Sequence, residues 1–284
     1  MGNPIIRPSP LRKAYIKGLD FIADNINLLA KPWLPEFKGA EITQLTLQLP
    51  YLDPVFDGYR LVQISDIHLG SSVQEDHLNE VVDLVNELEP DTIAITGDFV
   101  GRQPEEFVFP LLSALRRLIA KDVKVAVLGN HDHWTSAESI RWVLKRSSIV
   151  ELCNSVLPLH RDQKLLYLAG VDDFLVNQDR IGNILDLIPE HSAVILLAHE
   201  PDFADISAAT GRFGMQISGH THGGQIQLPL VSRFLLPPRG RKYPSGQYLL
   251  NGMTLYTNRG IGTSWLKVRY RCPPEISVYN LRAN

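Results

Sequence analysis

Apolar and polar positions follow two different periods along the chain after residue 40. Short segments rich in apolar residues, typical of core strands, occur at Tyr59–Ser65, Asp91–Thr96 and Val123–Leu128. Between and after them, apolar residues recur every three or four positions, which predicts helices over Glu75–Leu88, Phe107–Ala120 and Ala137–Lys145. Further β segments are predicted at Ile42–Leu49, Leu165–Ala169, Ala193–Ala198, Met215–Ser218, Gln225–Leu228, Thr254–Thr257 and Glu275–Tyr279. This alternation predicts an α/β protein with a β-rich C-terminal part.

A separate pattern precedes residue 41. Apolar residues at helical spacing fall on one face, at Leu11, Tyr15, Leu19, Ile22, Ile26 and Leu29. Basic residues lie at the start of this helix, and Pro32 and Pro35 end it. Such a helix either packs on its own domain or lies on a membrane surface, and the apolar stripe fits both. We therefore divide the chain into an N-terminal amphipathic helical segment, residues 1–40, and one domain, residues 41–284.

Composition excludes several classes of protein. Of 284 residues, 44% are apolar and 21% are charged, which argues for a folded domain and against a disordered chain. The net charge of −3 gives no reason to expect a nucleic-acid partner. Cys153 and Cys272 form no CxxC pair, which argues against a disulfide framework or a zinc-thiolate site. One long-range disulfide is an alternative, and we expect two buried free thiols. No run approaches ~18 apolar residues, and we expect no membrane-spanning helix.

Polar clusters follow the predicted strands at five places. In open α/β sheets, ligands bind beyond the carboxyl ends of the strands. The side chains of these clusters should therefore meet at one edge, and they include Asp66, His68, Asp98, Asn130, His131, His199, His220 and His222. Carboxylate, imidazole and amide ligands without thiolate suit Mn²⁺, Fe, Zn²⁺ or Co²⁺. The clusters together therefore predict a metal site.

The motifs DIHLG (66–70), GDFV (97–100), GNHD (129–132), AHEPD (198–202) and GHTHGGQ (219–225) closely resemble those of the calcineurin-like metallophosphoesterases. The resemblance runs from about Tyr59 to the C-terminus. It implies a four-layer αββα sandwich with two mixed β-sheets flanked by helices. The stretches GHTHGGQI and TNRGIGTS are similar to a bacterial, membrane-associated branch, some members of which act on UDP-2,3-diacylglucosamine.

The resemblance also implies a ligand set for two divalent metal ions, with manganese expected first. The first metal would be held by Asp66, His68, Asp98 and His222, and the second by Asp98, Asn130, His199 and His220. Asp98 would bridge them, and a water between the metals would become the attacking hydroxide. His131 corresponds to the family's histidine that contacts the phosphoryl group and protonates the leaving oxygen. In the phosphoprotein phosphatases an aspartate orients this histidine; Gly101 stands at that position here, which leaves Asp132 or a backbone carbonyl as candidates.

Other polar residues have plainer interpretations. His77, His160 and His191 are expected to be surface or structural residues, and His133 either lines the cleft or packs in a loop. Glu200 and Asp202 are expected to cap the next helix. Asp172 and Asp173 are expected to lie in a turn.

Leu228–Pro238 joins apolar side chains to a rim of basic residues directly after the metal motif. The segment is too rich in proline for a predicted helix, and it either packs on the protein or meets a lipid interface. The leading hypothesis is hydrolysis of a phosphodiester or pyrophosphate bond by a peripheral protein on the cytoplasmic face of the membrane, with a lipid-linked nucleotide such as UDP-2,3-diacylglucosamine as the candidate substrate. A soluble cyclic-nucleotide phosphodiesterase or nuclease is an alternative, and a non-catalytic metal-binding scaffold is another. No nucleic-acid partner is expected.

Overall fold

The computed structural model describes residues 39–71, 73–101, 104–228, 232–264 and 267–283. The helix expected around residues 11–29 lies outside these ranges. Within them, the strands form two six-stranded sheets.

The first sheet is mostly parallel. Its strands lie in the order β1 (Glu41–Gln48), β12 (Glu275–Arg282), β2 (Arg60–Ile64), β3 (Thr92–Thr96), β4 (Val123–Val127) and β5 (Val150–Glu151). β12 runs parallel to β1 and antiparallel to β2, whereas β2 to β5 run parallel to one another. The last strand of the chain thus lies between the first two.

The second sheet has a parallel centre with an antiparallel strand at each edge. Its order is β10 (Gly246–Leu250), β11 (Met253–Thr257), β9 (Met215–Ser218), β8 (Val194–Leu197), β7 (Lys164–Gly170) and β6 (Ser155–Arg161). β10 and β6 are the antiparallel edges, and the four strands between them are parallel. Both sheets are therefore mixed, as the resemblance implied.

Helices cover the outer face of each sheet. The helices in the described ranges are α1 (Glu75–Glu87), α2 (Pro104–Arg116), α3 (Asn130–Thr135), α4 (Ala137–Arg146), α5 (Ile181–Leu185), α6 (Ala204–Ala209) and α7 (Ser232–Leu235), with short 3₁₀ helices at Pro54–Phe56, Pro201–Phe203 and His222–Gly224. α1, α2 and α4 bury apolar side chains against the first sheet. α5 and α6 do so against the second sheet. A third apolar core, which includes Leu61, Val125, Ile195 and Ile217, joins the two sheets face to face. These cores produce the expected αββα layers.

Three local expectations differ from the structure. Gln225–Leu228 is not a strand, and only an isolated bridge joins Ile226 to Tyr270. Gln225 has a φ of 52°, so the backbone turns where a strand would have to extend. The segment expected to be too proline-rich for a helix contains α7, because the described prolines Pro237 and Pro238 follow its last turn. The edge strands β6 and β10 were not predicted.

Candidate metal centre

The candidate ligands follow the carboxyl ends of strands from both sheets. Asp66 and His68 come after β2, Asp98 after β3, and Asn130 and His131 after β4, all in the first sheet. From the second sheet, His199 follows β8, and His220 and His222 follow β9. All of them are buried except His131, which is partly exposed. The expected convergence at one edge is therefore present.

Several of these residues adopt left-handed backbone conformations. The φ angle is 50° at Asp66, 47° at His68, 57° at Asp98, 71° at His220 and 52° at His222. Such conformations cost about 1–2 kcal/mol for a residue with a Cβ atom. Strained residues of this kind cluster at functional sites, where the surrounding structure holds them. The turns after the strands thus aim these side chains inward at a cost in stability.

The ligand atoms lie close enough together to share cations. Three groups each keep their ligand atoms within 4.8 Å of one another: Asp66, His68 and His222; His68, Asp98 and His131; and Asp98, His199 and His220. Oδ2 of Asp98 lies 3.4 Å from Nε2 of His68 and 3.3 Å from Nε2 of His199. On the other side, Oδ1 of Asp66 lies 3.5 Å from Nε2 of His222. Asp98 therefore belongs to two of the three groups.

Hydrogen bonds on the far side of three imidazole rings determine which nitrogen faces the centre. Nδ1 of His199 donates to the carbonyl of Thr96 at 2.6 Å, and Nδ1 of His222 donates to that of Gly262 at 3.2 Å. Nε2 of His220 donates to the carbonyl of Pro238 at 2.8 Å. Backbone acceptors of this kind are typical partners of metal-binding histidines. In the neutral rings, the remaining nitrogens carry lone pairs.

These lone pairs give a test of whether the residues fit a cation. Nε2 of His199 and Nδ1 of His220 lie only 3.3 Å apart, so two neutral rings would face each other with lone pairs. Among the described residues, the buried atoms Nε2 of His68 and Oδ1 of Asn130 have no hydrogen-bond partner. Buried polar atoms are rarely left unsatisfied. A bound cation removes each of these conflicts, and the donor set suits a divalent transition metal.

The electrostatic interactions among the candidate ligands also favour a cation. Although burial opposes ionisation, the positive charge of His199 holds the pKa of Asp98 well below its usual range. Burial likewise opposes the charged form of His199, yet Asp98 raises its pKa well above the usual value. Burial raises the pKa of Asp66 to about 6 and lowers that of His68 to about 3. These shifts show that positive charge beside Asp98 stabilises its carboxylate, as a bound cation would.

His131 lies at the edge of this centre. Its backbone N–H donates to Oδ1 of Asp98 at 2.9 Å. Its ring stands edge-on to that of His68, with centroids 4.7 Å apart, and contacts the ring of Trp134 on α3. The structure therefore places this imidazole beside the candidate ligands and partly open to solvent.

Asp132, a candidate for orienting His131, has a different set of partners. It is fully buried and accepts the backbone N–H groups of Asp98, Phe99 and Gly129, each at 2.9 Å. Its carboxylate therefore joins the turn after β3 to the turn after β4. The residue occurs in the GNHD motif, but its backbone partners 33 and 34 residues away are visible only in the fold.

The loop after β11 also helps to hold the candidate metal centre, and the sequence did not predict this role. The buried guanidinium of Arg269 donates to the backbone carbonyls of Arg259, Gly260, Gly262 and Cys272. Gly260 has a φ of 71°, and a Cβ atom there would lie 2.7 Å from Cβ of Asp66. The glycines in TNRGIGTS were the available signal, because a backbone that approaches a buried ligand requires them.

Other polar residues follow the expectations only in part. Asp172, expected in a turn, accepts from Nε2 of His133 at 2.7 Å, which gives His133 a fixed partner. Glu200 occupies the N-cap position of the 3₁₀ helix Pro201–Phe203, but its side chain does not cap that helix, since its carboxylate accepts the N–H groups of Phe174 and Leu175. Asp202 likewise accepts backbone N–H groups of the loop after α7, those of Arg241 and Lys242. The turn expected at Asp173 is present, since its side chain accepts the N–H of Val176.

The remaining expectations concern isolated histidines and cysteines. His160 and His191 are exposed, and His77 is half-buried on α1. None of the three belongs to a metal-binding group among the described residues. Cys153 and Cys272 are free, as expected.

The segment around α7 contacts the centre directly. Pro238, which follows the helix, provides the carbonyl that fixes His220. Phe234 on α7 is 85% exposed, and Leu235 beside it is also exposed. Within the described ranges, no helix combines the length and the apolar character needed to cross a membrane.

Comparison with known proteins agrees with this geometry. The family model for calcineurin-like phosphoesterases matches residues 59–224. The uncharacterized metallophosphoesterase YkuE of Bacillus subtilis is 33% identical over 249 residues, 86% of each chain. The UDP-2,3-diacylglucosamine pyrophosphatase LpxG of Chlamydia trachomatis is 28% identical over 292 residues, covering 84% of this chain and 88% of its own.

A third relative carries a broader description. The phosphodiesterase YaeI of Escherichia coli is 26% identical over 227 residues, covering 78% of this chain and 82% of its own. The matched region contains every candidate ligand, and the groups that could hold a metal lie in the two-sheet fold expected for it. The chain therefore belongs to the calcineurin-like phosphoesterase family and is a metal-dependent phosphoesterase.

Proposed function

We propose that the protein hydrolyses a phosphodiester or pyrophosphate bond at a centre of two divalent metal ions. One ion is assigned to Asp66, His68, Asp98 and His222, and the other to Asp98, Asn130, His199 and His220. The observation that carries this proposal is the 3.3 Å approach of Nε2 of His199 to Nδ1 of His220, with Asp98 equally close to His199. Both rings already donate their other nitrogen to a carbonyl, so only a cation or an extra proton relieves the contact.

The chain's own residues prepare the reaction. Bound divalent ions would acidify a water and offset the charge of the phosphoryl oxygens. The carbonyls of Thr96, Pro238 and Gly262 hold the ligand imidazoles in fixed orientations. His131 delivers a proton to the leaving oxygen, because its ring stands at the open edge of the centre.

Metal content and turnover test the assignment together. Purified protein is loaded with Mn²⁺, Fe²⁺, Zn²⁺ or Co²⁺, its metal content is measured, and hydrolysis of bis-p-nitrophenyl phosphate is followed before and after chelation. We expect manganese to support the highest activity, with about two ions per chain. Asp98→Ala should lose both ions, and His220→Ala should lose one.

The matched control is His160→Ala, which removes an exposed histidine from β6. It should retain wild-type metal content and activity. Circular dichroism verifies that each variant is folded. Full activity and full metal content in Asp98→Ala or His220→Ala would contradict the ligand assignment.

The substrate within this class is proposed to be lipid-linked, such as UDP-2,3-diacylglucosamine, met at the inner face of the membrane. The support is α7, where exposed Phe234 and Leu235 lie beside Arg233. Apolar side chains enter the acyl region of a bilayer while cations meet anionic head groups. The relative LpxG is named for that substrate.

Two assays separate this proposal from its alternative. In flotation with anionic liposomes, wild type should float, and the double variant Phe234→Glu, Leu235→Glu should not. Leu249→Glu, which changes an exposed apolar residue on β10, is the control and should float. A panel of diacylglucosamine nucleotides, cyclic nucleotides and simple diesters then ranks substrates by kcat/KM. Preference for cyclic nucleotides without flotation would favour the soluble phosphodiesterase instead.

A further inference from the structure

A tryptophan stands beside the proposed catalytic histidine with much of its surface exposed. Trp134 on α3 is 42% exposed, and its ring centroid lies 5.1 Å from that of His131 at a tilt of 53°. His131 also meets the ring of His68 edge-on at 4.7 Å. Its imidazole thus contacts both a buried candidate metal ligand and an exposed indole.

The contact between Trp134 and His131 places the indole close to the leaving group. The inference rests on the proposed function, in which His131 protonates the leaving oxygen. Proton transfer requires hydrogen-bond distance, so that oxygen lies against the His131 ring and its substituent lies within reach of the rings beside it. Trp134 is an exposed ring beside His131. We propose that Trp134 stacks on a planar aromatic group, a nucleobase or an aryl ring, that departs with the leaving oxygen.

An indole suits this role because stacking on it needs no particular hydrogen-bonding pattern and tolerates any base. Trp142 on α4 is a second exposed tryptophan, and its ring contacts are purely structural. It is 38% exposed, but its ring packs on Phe109 at 6.1 Å and beneath Arg146 at 5.4 Å. It therefore offers a control of the same residue type and similar exposure.

The test compares substrates with different leaving groups. Wild type, Trp134→Leu, Trp134→Phe and Trp142→Leu are loaded with Mn²⁺. For each, kcat/KM is measured with bis-p-nitrophenyl phosphate, thymidylyl-(3′→5′)-thymidine and glycerophosphoethanolamine. Trp134→Leu should lower kcat/KM by roughly tenfold for one or both aromatic substrates, and by less than about twofold for the aliphatic one. The aromatic substrate whose kcat/KM falls shows whether Trp134 stacks on an aryl ring, on a nucleobase or on either. Trp134→Phe should recover most of the lost kcat/KM. Trp142→Leu should leave kcat/KM unchanged for all three substrates.

A binding measurement gives a readout that does not depend on turnover. Calorimetric titration compares phenylphosphonate with methylphosphonate, and wild type should prefer the phenyl compound by about tenfold while Trp134→Leu should not. An equal loss of kcat/KM on all three substrates would mean that Trp134 only supports His131, and it would overturn the inference. So would equal binding of the two phosphonates. Absence of hydrolysis by wild type on every substrate contradicts the proposed function instead, and the phosphonate pair then still decides the role of Trp134.

Discussion

The carboxylate of Asp132 offers a sharp test of how the centre is held together. It accepts three backbone N–H groups, two at Oδ2 from Asp98 and Gly129 and one at Oδ1 from Phe99. One donor is the backbone N–H of the candidate ligand Asp98, and another is that of Gly129, which precedes the candidate ligand Asn130. Asp132→Asn keeps the shape of the side chain but exchanges one acceptor oxygen for an NH₂ group. In its best orientation the new side chain retains two of the three hydrogen bonds.

The expected loss follows from these contacts. A hydrogen bond to a charged group contributes about 1.5–3 kcal/mol, and a buried donor left without an acceptor costs about 1–3 kcal/mol. Burial, together with the charge of Asp98, raises the pKa of Asp132 to about 7, so its ionised form is less favourable than that of an ordinary aspartate. The lost hydrogen bond and the unpaired donor should therefore each cost an amount near the lower end of its range. We therefore expect the free energy of unfolding to fall by about 3 kcal/mol. This corresponds to a Tm lower by roughly 6–12 °C.

Thermal unfolding followed by circular dichroism measures this loss in chelator-treated protein, so that bound metal does not mask it. Manganese content is measured in parallel and should fall, because the backbone around Asp98 and Asn130 is no longer fixed. Asp57→Asn, which changes an exposed carboxylate that also accepts a backbone N–H, should leave the Tm unchanged. If Asp132→Asn has the Tm and metal content of wild type, the Asp132 carboxylate is not needed to hold the turns after β3 and β4.

Three further predictions concern the surroundings of the centre. Burial, and then the charge of Glu200, raise the pKa of Asp173 to about 9, so the native carboxyl keeps a proton that the unfolded chain releases above about pH 4. Wild type should therefore lose stability relative to Asp173→Asn between pH 5 and 8, and a Tm difference independent of pH would contradict this. Gly260→Ala combines a positive φ with a clash against Asp66, and we expect a loss of about 3 kcal/mol in urea unfolding together with lower metal content. Arg269→Met leaves buried carbonyls without donors and should cost at least about 3 kcal/mol; unfolding indistinguishable from wild type would show that the loop does not need the guanidinium.

The fold was predictable where the signal is local. Met215–Ser218 was expected as a strand and is β9 with the same bounds, because a short apolar run between glycines has few other conformations available. The order of strands was not predictable, since β12 lies between β1 and β2 through pairings such as Ser277 with Gln63. The strand expected at Gln225–Leu228 is absent because the backbone turns at its first residue, Gln225, which has a φ of 52°.

The candidate site shows the same division. Its histidines and aspartates could be named because each follows a predicted strand and parallel strands share one carboxyl edge. Their supports could not, because Asp132, Arg269 and the pair of His133 with Asp172 act through partners remote in the sequence. His133 and Asp172 are 39 residues apart, and no periodic pattern links them.

The two-sheet origin of the ligands has a consequence for the molecule as a whole. Asp66, His68, Asp98 and Asn130 belong to one sheet, and His199, His220 and His222 belong to the other. Ions held by both sets would cross-link the sheets as a disulfide cross-links two segments, here between positions as far apart in the sequence as Asp66 and His222. Closing so long a loop in the unfolded chain is entropically costly. The metals would thus act as a tertiary cross-link that forms only once both halves of the sandwich are in place.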